Sequence, residues 1–146
     1  MKKILTIIIL FLTTATLNAN DRNVELDKLF SELKKNIPSS SSGIAQKIWM
    51  LWTTHPTDQK LTSILDEGSR LIQDRQLNRA INVFSEAIKL DPTWAEAWNK
   101  RATVFYMVGE FQKSQDDIDK VLELEERHFG ALAGQGMVNI QLKNYD

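Results

Sequence analysis

The chain has no cysteine in its 146 residues, and only two histidines and three prolines. Without thiols there is no disulfide, no cysteine-held metal and no lipid-modified cysteine to tether the chain. His55 stands in a turn before Pro56 and His128 follows Arg127 in a turn between repeated units; both read as surface side chains rather than metal ligands. No glycine loop of phosphate-binding type is present, since Gly134 and Gly136 fall inside an expected helix, and no serine stands in a nucleophile elbow. Asp116, Asp117 and Asp119 in "SQDDIDK" lack the glycine and closing glutamate of a calcium loop and read as the solvated face of a helix. Nothing here calls for catalysis, a metal or a cofactor. An excess of charge is missing too: 18 Lys and Arg against 19 Asp and Glu leave a net −1. Basic residues occur as isolated pairs, Lys34-Lys35 and Lys100-Arg101, which speaks against nucleic acid as a partner.

One long apolar run exists, at the amino terminus. Lys2 and Lys3 precede Ile4 to Leu12, which fade through threonines to Ala19. A basic start, a short apolar core and a small residue before a polar stretch describe a secretory signal over residues 1–19. A spanning helix needs about 20 mainly apolar residues, and this run has about half that, so cleavage is favoured over an anchor in the inner membrane. Removal of 1–19 takes Lys2 and Lys3 with it and leaves a single domain's worth of chain, more acidic than the precursor. The lysine-led signal and short length suggest export to a bacterial periplasm.

Residues 24–37, "VELDKLFSELKKNI", place Leu26, Leu29, Phe30, Leu33 and Ile37 at helical spacing within the segment 20–37. Pro38 ends that helix, and "PSSSSG", 38–43, reads as a flexible linker. In the segment 44–60, Ile44, Ile48 and Trp52 recur every fourth residue and Trp49 and Leu51 widen the apolar surface, so a short buried helix is expected there.

From Leu61 the chain repeats itself. Ile64, Trp98 and Leu132 align, as do Gly68, Ala102 and Gly136, and then Leu77, Phe111 and Tyr145. Ala80 matches Ser114, Phe84 matches Ile118, Ala87 matches Val121 and Leu90 matches Leu124. Small residues recur where two helices would cross closely and large ones where they would fill the space beside the crossing. The period is about 34 residues, and a repeat of this length and type signals a solenoid of helical hairpins.

The pattern resembles the tetratricopeptide repeat. Ile64, Gly68, Leu71, Ala80, Phe84, Ala87 and Pro92 in one unit match its signature, as do Trp98, Ala102, Phe105, Ser114, Ile118 and Val121 in the next. Glu126 replaces the closing proline of the second unit, and Asn139 stands where the third should carry a large apolar residue. The resemblance implies an all-α, right-handed superhelix preceded by a helical extension. Its units would be 61–94, 95–128 and a partial 129–146, which either stops within a repeat or ends in a capping helix; the spread of apolar residues around that helix favours truncation. Thr93 and Glu96 have capping-box spacing for the second unit's first helix, with Trp94 in its first turn and Trp98 wedged among the helices.

The resemblance also implies a concave groove for a protein or peptide partner. By position it would present Leu65, Ser69 and Ile72, then Asn99, Thr103, Tyr106 and Met107, then Ala133, Met137 and Ile140. The segment 24–37 could cover that face instead, and self-association through the incomplete repeat is a further reading. The expected function is a non-catalytic adaptor, the alternatives being a structural self-association module or the amino-terminal part of a larger envelope enzyme or secretion component. The first check is on export: sequencing the exported product should find a new amino terminus at Asn20, whereas an intact Met1 in the membrane fraction would make residues 1–19 an anchor.

Overall fold

A computed structural model describes residues 21–35 and 37–143, and every regular element among them is an α-helix. The expected signal at 1–19 and the aligned Tyr145 lie outside the described residues. The chain divides into two compact units at Gln59 and Lys60.

The first unit contains α1 (residues 21–34) and α2 (Pro38–Thr53). Leu26 and Leu29 of α1 are buried, as are Ile44, Ile48 and Trp52 of α2. Trp52 meets Phe30 at 6.0 Å between ring centres and Trp49 edge-on at 5.6 Å. The Arg22 guanidinium donates to the carbonyl of Leu51 through two nitrogens, at 3.2 and 2.9 Å. Two expectations fail here. Ile37 is not the end of a helix but the extended, exposed residue that caps α2. The serine run 38–43 is not a linker; it forms the first turns of α2. Pro38 sits at the start, where its missing N–H costs nothing and its fixed φ suits the helix. The hydroxyls of Ser40 and Ser41 bend back onto the Ile37 carbonyl, at 3.2 and 2.8 Å. His55 is also less exposed than expected: it is buried, and its Nδ1 accepts the backbone N–H groups of Thr57 and Asp58 in the turn after α2.

The second unit is a run of helices: α3 (Gln59–Gln73, opening at the unit boundary), α4 (Leu77–Leu90), α5 (Ala95–Met107), α6 (Phe111–Leu124) and α7 (Phe129–Leu142). The starts of α4 and α6, Leu77 and Phe111, lie one sequence period apart, and so do the starts of α5 and α7, Ala95 and Phe129. α4 packs on α5, α5 on α6 and α6 on α7, and α5 also meets α7. That is a helical-hairpin solenoid.

Each hairpin turn has the same backbone. Arg75, Gly109 and Lys143 have φ of 60°, 82° and 58°, each one period after the last. Around the first two, Gln76 N–H reaches Leu71 and Arg75 N–H reaches Ile72, while Glu110 reaches Phe105 and Gly109 reaches Tyr106. These pairs are Schellman caps, which close a helix by a left-handed residue. The turns between repeats are a second recurring device. An Asp91 oxygen accepts the N–H of Thr93 at 2.8 Å, and an oxygen of Glu125, the equivalent residue in the next repeat, accepts the N–H of Arg127 at 3.1 Å. The Thr93–Glu96 capping box is therefore not formed. Trp94 occupies the cap position of α5 without a side-chain capping bond, the Thr93 hydroxyl is held by Asp91, and Glu96 is buried elsewhere.

Two apolar clusters form the core. One gathers Leu61, Leu65, Leu71, Ala80, Phe84, Ala87 and Trp94; the other gathers Ala102, Ile118, Val121, Ala131 and Val138. Trp98 packs against both, and its indole N–H donates to the Pro92 carbonyl at 3.0 Å. Not every expected packing residue is used: the Pro92 ring is exposed, as are Leu132 and Gly136.

Two helices cross closely at Gly68. A Cβ there would lie 2.3 Å from Cε1 of Phe84, whose ring is fully enclosed, whereas a Cβ at Gly136 would meet nothing within 4 Å. Gly68→Ala should accordingly cost about 1–3 kcal/mol through overpacking. Gly136→Ala should stabilise the chain by up to about 1 kcal/mol through helix propensity alone. Urea unfolding of the two variants followed by circular dichroism distinguishes them; equal effects would mean that α3 and α4 do not approach as closely as described.

Candidate interaction groove

Helix α5 carries the centre of the candidate surface. Asn99 and Thr103 are one turn apart, so they point the same way, and Tyr106 follows on the same side. α7 lies beside α5 and brings Gly134 and Met137 to meet them. Between the two helices, with Ser114 and Ile118 of α6 as the floor, is a partly open cavity of about 70 Å³. Its wall is apolar apart from the Asn99, Thr103, Tyr106 and Ser114 side chains. The Thr103 hydroxyl donates to the carbonyl of Asn99 at 3.0 Å and Ser114 donates to the carbonyl of Ala102 at 2.8 Å, so the wall is ordered without a ligand.

The sequence-based groove residues divide into three groups. Asn99, Thr103, Tyr106 and Met137 line the cavity together. Met107, Ala133 and Ile140 are exposed apolar side chains outside its lining, Ile140 at 59%. In the first repeat Leu65 is not a groove residue: at 2% exposure it belongs to the core. Ile72 packs against that core and the Ser69 hydroxyl is turned back onto the Leu65 carbonyl. The cavity thus lies in the α5–α7 part, while in α3 the corresponding side chains are turned to the core or back onto their own helix. Tyr106 is partly consumed as well, its ring 5.4 Å from Phe111.

A polar network supports this site and escaped the sequence reading. His128, read as a surface residue, is fully buried and caps α7: its Nδ1 accepts the N–H of Ala131 at 3.2 Å. Nδ1 therefore carries no proton, and Nε2 donates to Oε2 of Glu96, 2.9 Å away. The Asn99 amide donates to the same oxygen at 3.1 Å. Oε1 of Glu96 makes no hydrogen bond and is held by charge alone, 3.4 Å from the Lys100 ammonium. Asn99 is consequently both a wall of the cavity and a member of the network that fixes α7 against α5. The sequence signal was available: His128 falls one period after the buried Trp94, so the repeat itself places it inside.

Asp117 also departs from its reading as a solvated residue. It is buried and accepts a two-pronged contact from Arg101, with both N–O distances 2.8 Å. Arg101 reaches Ser85 at 3.0 Å and lies over the rings of Trp98 and Phe105, at 5.0 and 5.5 Å. One guanidinium thereby links α4, α5 and α6. Asp116 and Asp119 remain exposed, each bonded to a glutamine one turn earlier. Burial raises the Asp117 carboxyl above its ordinary 3.8, outweighing the hydrogen bonds and charge of Arg101. Glu125 goes the other way: burial opposes its ionisation, but hydrogen bonds from the Arg127 side chain and backbone, with that guanidinium's charge, hold it below its ordinary 4.5. Among the described residues no cluster of three or more His, Asp or Glu is arranged to hold a metal ion.

Comparison with known proteins gives a consistent picture. A family described as TPR repeat matches residues 68–109. The chain is 37% identical over 114 residues to a TPR repeat-containing protein of Rhizobium etli, an alignment covering 77% of this chain and 55% of that one. It is 28% identical over 89 residues to sperm-associated antigen 1 of Rattus norvegicus, covering 57% of this chain and 10% of that one. It is 27% identical over 81 residues to Hsp70-Hsp90 organizing protein 1 of Glycine max, covering 56% and 14%. The chain thus spans about half the length of the Rhizobium etli protein and a small part of the other two.

The two acids give stability terms of opposite sign. Because the folded Asp117 holds its proton more tightly than the unfolded one, its contribution falls as pH rises from 3.8 towards the raised folded value. Because the folded Glu125 holds its proton less tightly, its contribution is present above 4.5 and is lost as pH falls towards the depressed folded value. Stability measured against pH should therefore lose its fall above 3.8 in Asp117→Asn and lose its rise towards 4.5 in Glu125→Gln. The same profile change in both variants would contradict the assignment.

Proposed function

The chain belongs to the tetratricopeptide repeat family, and we propose that it works as a non-catalytic adaptor that holds a segment of another protein in the groove between α5 and α7. One observation carries this reading: an ordered cavity with few polar groups is lined by the exposed Met137, and Met107 and Ile140 of the same two helices are exposed as well. Exposed methionine and isoleucine side chains on the helices that wall a cavity are what an apolar anchor of a peptide would cover. Asn99 and Thr103 offer hydrogen-bonding groups beside it that orient a bound backbone. An amphipathic helix or an extended peptide suits such a surface. Binding alone is the mechanism. The groove is already formed by the Glu96–His128 network, so little ordering on its own side opposes association.

The reading includes a place of action. Lys2, Lys3 and the apolar run from Ile4 support export, with a bacterial periplasm as the compartment. Among the described residues no helix is long and apolar enough to cross a membrane.

The test compares the wild-type chain with Thr103→Arg/Met137→Glu as baits in an envelope extract. Both substitutions fall at exposed positions, and circular dichroism checks that helicity is kept. A partner retained by the wild type and depleted at least about tenfold by the variant, a loss of about 1.4 kcal/mol, would place binding in the groove. The same captured set from both baits would remove the groove from the function.

A further inference from the structure

The three methionines among the described residues are all exposed: Met50 at 63%, Met107 at 42% and Met137 at 48%. Methionine ordinarily fills gaps in a core, yet the two apolar clusters of the second unit contain none. The repeat shows that packing does not place them. One and two periods before Met137 stand Thr103 and Ser69, and one period to either side of Met107 stand Gln73 and Gln141. Thr103, Gln73 and Gln141 are exposed too, so exposure belongs to the positions, and hydroxyl or amide side chains suit them. Where its own repeats use polar groups, the chain carries two thioethers, on α5 and α7, the helices that wall the cavity. Met137 also lines that cavity. Cysteine is absent from the sequence, so methionine supplies its only sulfur.

We propose that Met107 and Met137 are reversible oxidation sites, at which hydrogen peroxide or an organic hydroperoxide converts the groove from an apolar to a polar surface and releases what is bound there. The proposal rests on the groove reading and adds its regulation.

The step moves one oxygen atom. A lone pair of the thioether sulfur attacks the peroxide, the O–O bond breaks, and the sulfur is oxidised by two electrons to the sulfoxide while water, or the alcohol of a hydroperoxide, leaves. The return step takes two thiols of a reductase to a disulfide and removes the oxygen as water. Both groove sulfurs lie in side chains that water reaches in the folded chain, so peroxide reaches them without unfolding. The fold tolerates the product, because a sulfoxide is polar and close in size to the thioether, and Thr103, Gln73 and Gln141 show that these positions accept polar groups. The cost falls on the ligand. An apolar anchor seated over Met137 would strip water from the new S–O group and offer it no hydrogen bond. Met50 belongs to the first unit and lines a different cavity with Asp21, Arg22 and Glu25, so it serves as an internal control for reaction outside the groove.

The full chain is treated with hydrogen peroxide, conversion at each methionine is read by peptide mass mapping, and helicity by circular dichroism. Isobutanol, a small branched aliphatic probe, is then titrated while the amide NMR signals of Thr103 and Gly134 in the cavity wall are followed. Both groove methionines should oxidise with helicity unchanged. Probe binding should weaken at least about fourfold, the scale of one lost methylene contact. It should return when methionine sulfoxide reductases with dithiothreitol restore the thioethers. Met107→Leu/Met137→Leu conserves volume and apolar character; it should bind the probe and keep binding it after the same treatment, although Met50 is oxidised. Sulfoxide at Met137 with unchanged probe binding overturns the proposal, as does resistance of Met137 to peroxide in the folded chain. An equal loss in the leucine variant overturns it too and assigns the effect to Met50. If the unoxidised chain shows no shift at Thr103 and Gly134, the groove reading itself fails and the proposal falls with it.

Discussion

Two helices can cross closely only where one of them has almost no side chain, and the second unit of this protein depends on that constraint. At Gly68 the backbone of α3 comes so near Phe84 that even a methyl group would overlap the ring. The contact sets the distance between the members of the first hairpin, and Ala102 opposite Ser114 and Ile118 sets it in the second. The candidate groove depends on these separations. If α5 and α6 stood farther apart, the floor of the cavity would drop away from Asn99 and Thr103.

Much of this was legible because close crossings and large fillers recur at one spacing. Ala80, Phe84, Ala87, Ala102, Ile118 and Val121 could be assigned to the interior from the period alone, and all are buried. What could not be read were positions whose partners are polar and distant. Glu96 has acceptable spacing for a capping box with Thr93, and a local rule therefore claimed it. The structure gives it instead to His128, 32 residues later. Asp117 sits in an acidic run that suits a solvated face, and only the placement of Arg101 on the neighbouring helix turns it inward. The serine run 38–43 failed for a related reason. Composition argued for a linker, but Pro38 at a helix start and hydroxyls that bond back to Ile37 outweigh the weak intrinsic preference of serine.

The groove illustrates how a repeat differentiates. Position by position, Leu65 and Asn99 are equivalent, yet one is core and the other joins a hydrogen-bond network at a cavity wall. The first repeat is given to packing and the α5–α7 portion to a surface. The buried Glu96–His128 contact allows this division, since it joins α5 to α7 by directed polar bonds and leaves their facing side chains available. An apolar contact of equal strength would have filled the space that the cavity occupies.

The spacing of the left-handed turns bears on how the chain acquires its structure. Arg75 and Gly109 reverse the backbone one period apart, so a residue of the second unit meets its principal neighbours within about one period. The buried pair Glu96–His128 has a separation of 32. Closing loops of that size costs little more entropy than closing half of one, because the cost grows only with the logarithm of length. Low sequence separation favours rapid assembly, and a hairpin such as α3–α4 contains all the residues of its own tightest contact. Structure in this unit can therefore begin during synthesis, with each new hairpin ordering on the one already formed, before the ribosome has released the helix that follows.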